Sequence, residues 1–187
     1  GVVPTDATAG FPIITFSTGT GYLATVDFGN TVASRLMIAD MVFKAGAYAY
    51  NSGTTSLSSQ PSFSSRIPGG TDYTGTQIWI EVSTAFTSAT TWHVECTYTN
   101  QAGTGSRTTT TMANTTAANL TIGRMYQLAL QSGDTGVQKI DSVVVTTGAA
   151  AAGAFNVLIL RPLWSGRVTA ANGGDCHGLD RTGMPVV

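Results

Sequence analysis

Apolar and polar side chains alternate along much of this chain with a period of two. In Thr91–Thr99 (TWHVECTYT), Trp92, Val94, Cys96 and Tyr98 fall on one face, and His93, Glu95, Thr97 and Thr99 on the other. That is the pattern of a half-buried strand, because successive side chains of a strand point to opposite sides. Gln77–Val82 repeats it, with Ile78, Ile80 and Val82 against Trp79 and Glu81. Asn100–Gly105 supplies turn residues, after which the Thr-rich Arg107–Met112 is expected to return as an antiparallel partner. Met125–Leu130 sets Tyr126, Leu128 and Leu130 on one side, and Ser132–Gly136 reads as a tight turn. Val137–Thr146 is expected to place Ile140, Ser142 and Val144 opposite Lys139, Asp141, Val143 and Val145. Ala154–Leu160 becomes apolar on both sides, as a central strand would be. Arg161-Pro162 should end its ladder, since proline has no N–H to donate.

Helix signals are scarce. Thr31–Phe43 reads at either period, as a short helix or turn, with a strand at Met37–Phe43 as the alternative. The Ala-rich Gly148–Gly153 is too short and Gly-bounded for a stable helix and reads as a loop. Short strands broken by Gly, Asn and Asp predict an all-β, antiparallel β-sandwich or jelly-roll-like fold with long irregular loops or arms. A single domain is expected over 1–187, with an N-terminal arm at 1–12, a long Ser/Gly/Pro loop at 51–73 and a C-terminal arm at 170–187. Segments of that length without periodicity are uncommon in compact domains and often functional.

Composition sharpens this picture. Of the 187 residues only 10% are charged, against about 25% in ordinary soluble domains, while 42% are hydrophobic. This balance is the reverse of a disordered chain's. The formal net charge of −1 and a hydroxyl-rich polar surface suit packing against neighbours, where little charge must be desolvated; a secreted β-domain with a neutral surface would look the same. Nine basic and ten acidic side chains, unclustered, give no footprint for nucleic acid. No apolar run is long enough to span a membrane, and the first residues have no signal-peptide pattern. Cys96 and Cys176 could pair, but Cys96 sits in a strand pattern and is expected to be a buried free thiol.

Candidate chemistry is thin. His93 and Glu95, two apart on a strand, could act as acid and base, but a solvated polar pair has the same spacing. Asp175-Cys176-His177 with Asp180 is a cluster of ligand types without a second Cys/His pair to complete a zinc shell, so no metal or cofactor is expected. Glu81 and Glu95, the only glutamates, would have to face one another to hydrolyse a glycoside. Asn114-Thr115-Thr116 and Asn119-Leu120-Thr121 fit the glycosylation sequon, which matters only in a secretory pathway. No phosphate-binding loop or nucleophile elbow is present, and no enzymatic activity is expected. The residues singled out for contact with partners are Trp79, Trp164, Arg66 and Arg167.

Several stretches carry a resemblance. Ala39–Tyr48 (ADMVFKAGAY), Glu81–Thr87 (EVSTAFT), Thr97–Arg107 (TYTNQAGTGSR), Met125–Leu128, Gly133–Gln138 and Phe155–Leu163 (FNVLILRPL) resemble a family of structural proteins of tailed bacteriophages. The resemblance spans roughly Met37 to Pro185 and carries no catalytic residues with it. It implies a virion component of β-sandwich type, most of all a head-decoration (cement) protein on the capsid surface. Such a protein would bind the major capsid protein or other virion proteins as a homo-oligomer, a trimer above all, clamping neighbouring capsomers through closed cyclic contacts. The alternative is a tail or head fibre or carbohydrate-binding module that recognises the host surface, resting on Trp79 and the tyrosines.

Overall fold

A computed structural model describes residues 1–4, 24–87, 92–114, 120–147 and 152–178. The strands are β1 (Thr25–Asn30), β2 (Ser34–Ala49), β3 (Thr54–Ser56), β4 (Gln77–Thr84), β5 (Trp92–Asn100), β6 (Arg107–Thr108), β7 (Met112–Asn114), β8 (Met125–Leu128), β9 (Val137–Thr147), β10 (Ala154–Val168) and β11 (Gly173–Gly178). Among the described residues the only helical pieces are two 3-10 turns, Ser64–Arg66 and Pro68–Gly70. Of Thr31–Phe43, the part from Ser34 onward is strand rather than helix, the first part of the long β2, and Thr31 and Val32 form a bend before it.

The chain divides into two compact units where one domain was expected. Gly1–Pro4 and Met41–Leu160 form the first, and Thr5–Asp40 with Arg161–Val187 the second; β2 and β10 contribute residues to both.

The first unit is an all-β sandwich. One sheet has the order β2-β10-β4-β8; the other runs β3-β9-β5, with β6 and β7 both paired to the remaining edge of β5. The inward residues are those that alternation picks out. Ile78, Ile80 and Val82 of β4 and Trp92, Val94, Cys96 and Tyr98 of β5 are all fully buried in one apolar layer, with Phe155, Val157 and Ile159 of β10. Trp92 joins the sheets, its ring meeting Phe86 at 5.0 Å and Phe155 at 5.1 Å, both edge to face. This is the geometry that aromatic quadrupoles favour. Its indole N–H donates to the Tyr50 carbonyl, so burying it strands no polar group. β10 lies between β2 and β4, and its outward Leu158 and Leu160 are buried too. That is why its sequence is apolar on both sides.

Three expectations change. In β9 the buried residues are Val137, Ile140, Val143 and Val145. Tyr98 pairs with Ile140 and Thr97 with Ser142, leaving Asp141 unopposed, and Gln138 is skipped likewise. Each bulge adds one residue and reverses the faces, so Ile140 and Val143 both point inward. The segment 51–73 is no free loop: Thr54–Ser56 pairs with β9, and Leu57, Phe63 and Ile67 are buried in the core. β10 ends its ladder with β4 at Leu160 but continues as strand through Pro162 to Val168.

The arms also differ. Val2 pairs with Lys44 through backbone hydrogen bonds of 2.7 and 2.9 Å, and Pro4 is buried. Residues 1–4 are therefore docked, and the rest of the expected N-terminal arm lies outside the described residues. Of the expected C-terminal arm, Gly173–Gly178 is β11, paired antiparallel with β1; 179–187 lie outside, as does most of Gly148–Gly153. In the second unit Val26 and Val168 are buried, and Asp40 and Arg161 form an ion pair at 3.5 Å.

Because Trp92 is fully enclosed and bridges both sheets, Trp92→Ala is expected to lower unfolding free energy by about 3–5 kcal/mol. Thr97→Ala, on an outward face, should change it by less than about 1 kcal/mol. Urea denaturation of the two variants checks the contrast.

Candidate functional site

Three of the four contact candidates, Trp79, Arg66 and Trp164, are held by neighbours within their own units. Trp79, half-buried on the outward side of β4, donates its indole N–H to Gln77 Oε1 at 3.0 Å and stands opposite Leu158. Arg66 donates to the Pro4 carbonyl, which fastens the chain's first residues to the first unit. In the second unit the Trp164 ring meets Phe28 edge to face at 5.6 Å and lies over Gly166, where a Cβ would come within 2.2 Å of it. A larger residue there would have to displace the ring. Arg167 is exposed near the end of β10.

The catalytic candidates do not converge. Glu81 projects outward from one sheet and Glu95 outward from the other, so the shared core separates them. Glu95 accepts a hydrogen bond from Thr111 Oγ1 at 2.6 Å, and Glu81 pairs with Lys44 at 2.9 Å. Asp175, Cys176 and His177 fall in β11, in register with Phe28, Asp27 and Val26; Asp180 lies outside the described residues. Among the described residues no group of three or more His, Cys, Asp or Glu is placed to hold a metal. Cys96 is buried and free, and burial pushes its thiol far above the usual range.

A polar knot closes one end of the first unit. Asp134, in the turn before β9, has a side chain only 3% exposed. Arg107 donates to both of its oxygens, Nε to Oδ2 at 2.9 Å and Nη2 to Oδ1 at 3.2 Å. Tyr98 Oη donates to Oδ2 at 2.6 Å, and Asn100 Nδ2 to Oδ1 at 2.8 Å. Tyr98 Oη in turn accepts from the Gln131 amide, and Asn100 Oδ1 from those of Ala102 and Thr104. The Arg107 hydrogen bonds, assisted by Tyr98 and Asn100 against the cost of burial, hold the Asp134 pKa down at about 2. Burial and then the hydrogen bond to Asp134 push Tyr98 up to about 12. A buried tyrosine hydroxyl needs a partner, and that requirement was the only trace of this knot in the sequence. An open cleft of about 290 Å³ lies beside it, lined by Thr76, Gln77, Gln127, Leu130 and Asp134 among others. Asp134 is its one charged residue, and its oxygens are already taken.

The outer face of the five-stranded sheet is rich in hydroxyl side chains. Directly opposed residues of an antiparallel pair project to the same side. The ladders therefore align Thr54 and Ser56 of β3, Ser142 and Thr146 of β9, Thr97 of β5 and Thr108 of β6 with the outward His93, Glu95 and Val144. Charge is confined to Glu95 and, near one end, the Lys139–Asp141 pair at 3.1 Å.

The knot sets a pH dependence. Asp134 titrates lower when folded, so its contribution is complete above the unfolded value of about 4 and is lost as pH falls toward about 2. Tyr98 titrates higher when folded, so its contribution is complete below about 10 and is lost as pH rises toward about 12. Urea midpoints measured across pH should fall at both ends, and Asp134→Asn should make the acid limb shallower.

Set beside known proteins, the chain matches no family model, no curated protein and no solved structure.

Proposed function

We propose that this chain is a structural protein of a bacteriophage virion, a decoration (cement) protein that stabilises the head by binding neighbouring capsomers. The observation that carries this reading is the outer face of the five-stranded sheet. It is rich in Thr and Ser, and its charge is limited to Glu95 and the mutually paired Lys139 and Asp141, so another protein can cover its hydroxyl-bearing part at little desolvation cost. The resemblance to tailed-phage structural proteins supports the same role. The sandwich behind the face is cross-braced by Trp92 and by the Asp134 knot, which gives a rigid surface to dock.

In this role the protein works as a homo-oligomer, a trimer at a symmetry axis of the capsid, in contact with the major capsid protein. The segment 51–73 is built into the sandwich, so it supplies no clamping arm; the sheet face does that work. A fibre or carbohydrate-binding role would rest on Trp79, whose indole N–H is occupied by Gln77 and which faces a buried leucine. Nothing in its surroundings adds to that reading.

Mass spectrometry of purified particles should find the chain in fixed proportion to the major capsid protein, and its absence would refute the proposal. Thr97→Arg/Ser142→Arg would place unpaired cations in the covered face. That change should lower occupancy on particles at least about tenfold, equivalent to about 1.4 kcal/mol, while leaving the melting temperature of the free protein nearly unchanged.

A further inference from the structure

On the outward side of the other sheet, three residues distant in sequence meet at one oxygen atom. Lys44 Nζ of β2 lies 2.9 Å from Glu81 Oε2 of β4, and Asn156 Nδ2 of β10 donates to that same oxygen at 2.8 Å. The strand order places Asn156 between the other two, and Asn156 stands directly opposite Glu81 in the ladder. Asn156 is 8% exposed and seated against Gly46: a Cβ at position 46 would lie 2.2 Å from Asn156 Oδ1. Gly46 is thus needed to hold the carboxamide where it is. On the same face Leu158 is fully buried and Trp79 is half-buried beside it, so apolar surface borders the cluster. An amine, a carboxamide and a carboxylate that touches both are the components of an amide-exchange reaction, with the carboxylate placed to move the proton.

We propose that Lys44 and Asn156 join in an intramolecular isopeptide bond, with Glu81 as the proton carrier. The Lys44 ammonium gives one proton to Glu81 Oε2, and the freed Nζ attacks Asn156 Cγ. The Nζ–Cγ bond forms and the Cγ–Nδ2 bond breaks. Glu81 returns its proton to the departing nitrogen, which also takes the second surplus proton of the amine. Ammonium is the by-product, and no oxidant or cofactor is consumed. Burial works to raise the pKa of Glu81, but hydrogen bonds from Asn156 and Lys44 and the charge of Lys44 outweigh it and hold it below the usual glutamate range, so Glu81 rests as the carboxylate and carries the proton only in passing, as the amine attacks. Both reactants are held by the same Glu81 oxygen, which makes the step intramolecular and spares it the entropy of bringing them together. The side chains of Lys44 and Glu81 keep 34% and 27% of their exposure, which leaves ammonia a way out. The bond ties β2 covalently to β10, the two strands that run through both units.

The intact mass of the folded full-length chain tests this. The expected result is a chain lighter than its sequence by one ammonia, yielding on digestion a branched peptide that joins Lys44 to Asn156. Lys44→Arg keeps the ion pair with Glu81 but has no primary amine, so it should fold, by circular dichroism, and keep its full mass. Glu81→Gln should leave most molecules unlinked. A wild-type chain at full mass after prolonged incubation, or an ammonia loss mapped to another asparagine, would overturn the proposal. A fully formed bond in Glu81→Gln would overturn the role of Glu81.

Discussion

The apolar layer between the two sheets of the first unit is the constraint on which the rest depends. Trp92, Tyr98 and Phe155 are fully buried inside it, and burying one such side chain is worth roughly 1.5–3 kcal/mol. Once β4 and β5 commit alternate residues to that layer, the intervening residues must face out. The same commitment sends Glu81 and Glu95 to opposite surfaces, aligns the hydroxyl side chains of β3, β5 and β9, and puts Asn156 across from Glu81. The outward chemistry follows from what the inside requires.

Where the layer ends, polar groups have to be satisfied without water, and the Asp134 knot does this. A carboxylate with a nearly inaccessible side chain is tolerable only when charge-paired and fully hydrogen-bonded. Arg107, Tyr98 and Asn100 meet that condition together, tying the turn before β9 to β5 and β6. Such a network adds rigidity and offers no spare lone pair for catalysis. The Lys44–Glu81–Asn156 cluster differs in kind, since Lys44 and Glu81 are partly open and three different functional groups meet at one oxygen atom.

Much of the fold was legible in the chain, for reasons that can be named. In β4 and β5 alternation runs unbroken, so their buried faces are legible, and the run of apolar residues in Ala154–Leu160 marks β10 as central. β9 was misread because the bulges at Gln138 and Asp141 leave no mark in a pattern of apolar residues. Residues 51–73 looked like loop because three well-spaced apolar anchors, Leu57, Phe63 and Ile67, do not make a period. The second unit was not foreseen, since its pairing of Thr25 with Gly178 joins strands far apart in sequence. The sites were less legible still: Lys44, Glu81 and Asn156 are ordinary residues on three separate strands, and only the sheet order makes them neighbours.

The account as a whole requires that the hydroxyl-rich sheet face lie against other subunits in an assembled particle. Electron microscopy of purified particles carrying a labelled copy of this chain tests that most directly. Label at symmetry-related positions over the head is the predicted image. Label confined to the tail, or particles bare of it while the chain stays a dispersed monomer, would contradict it.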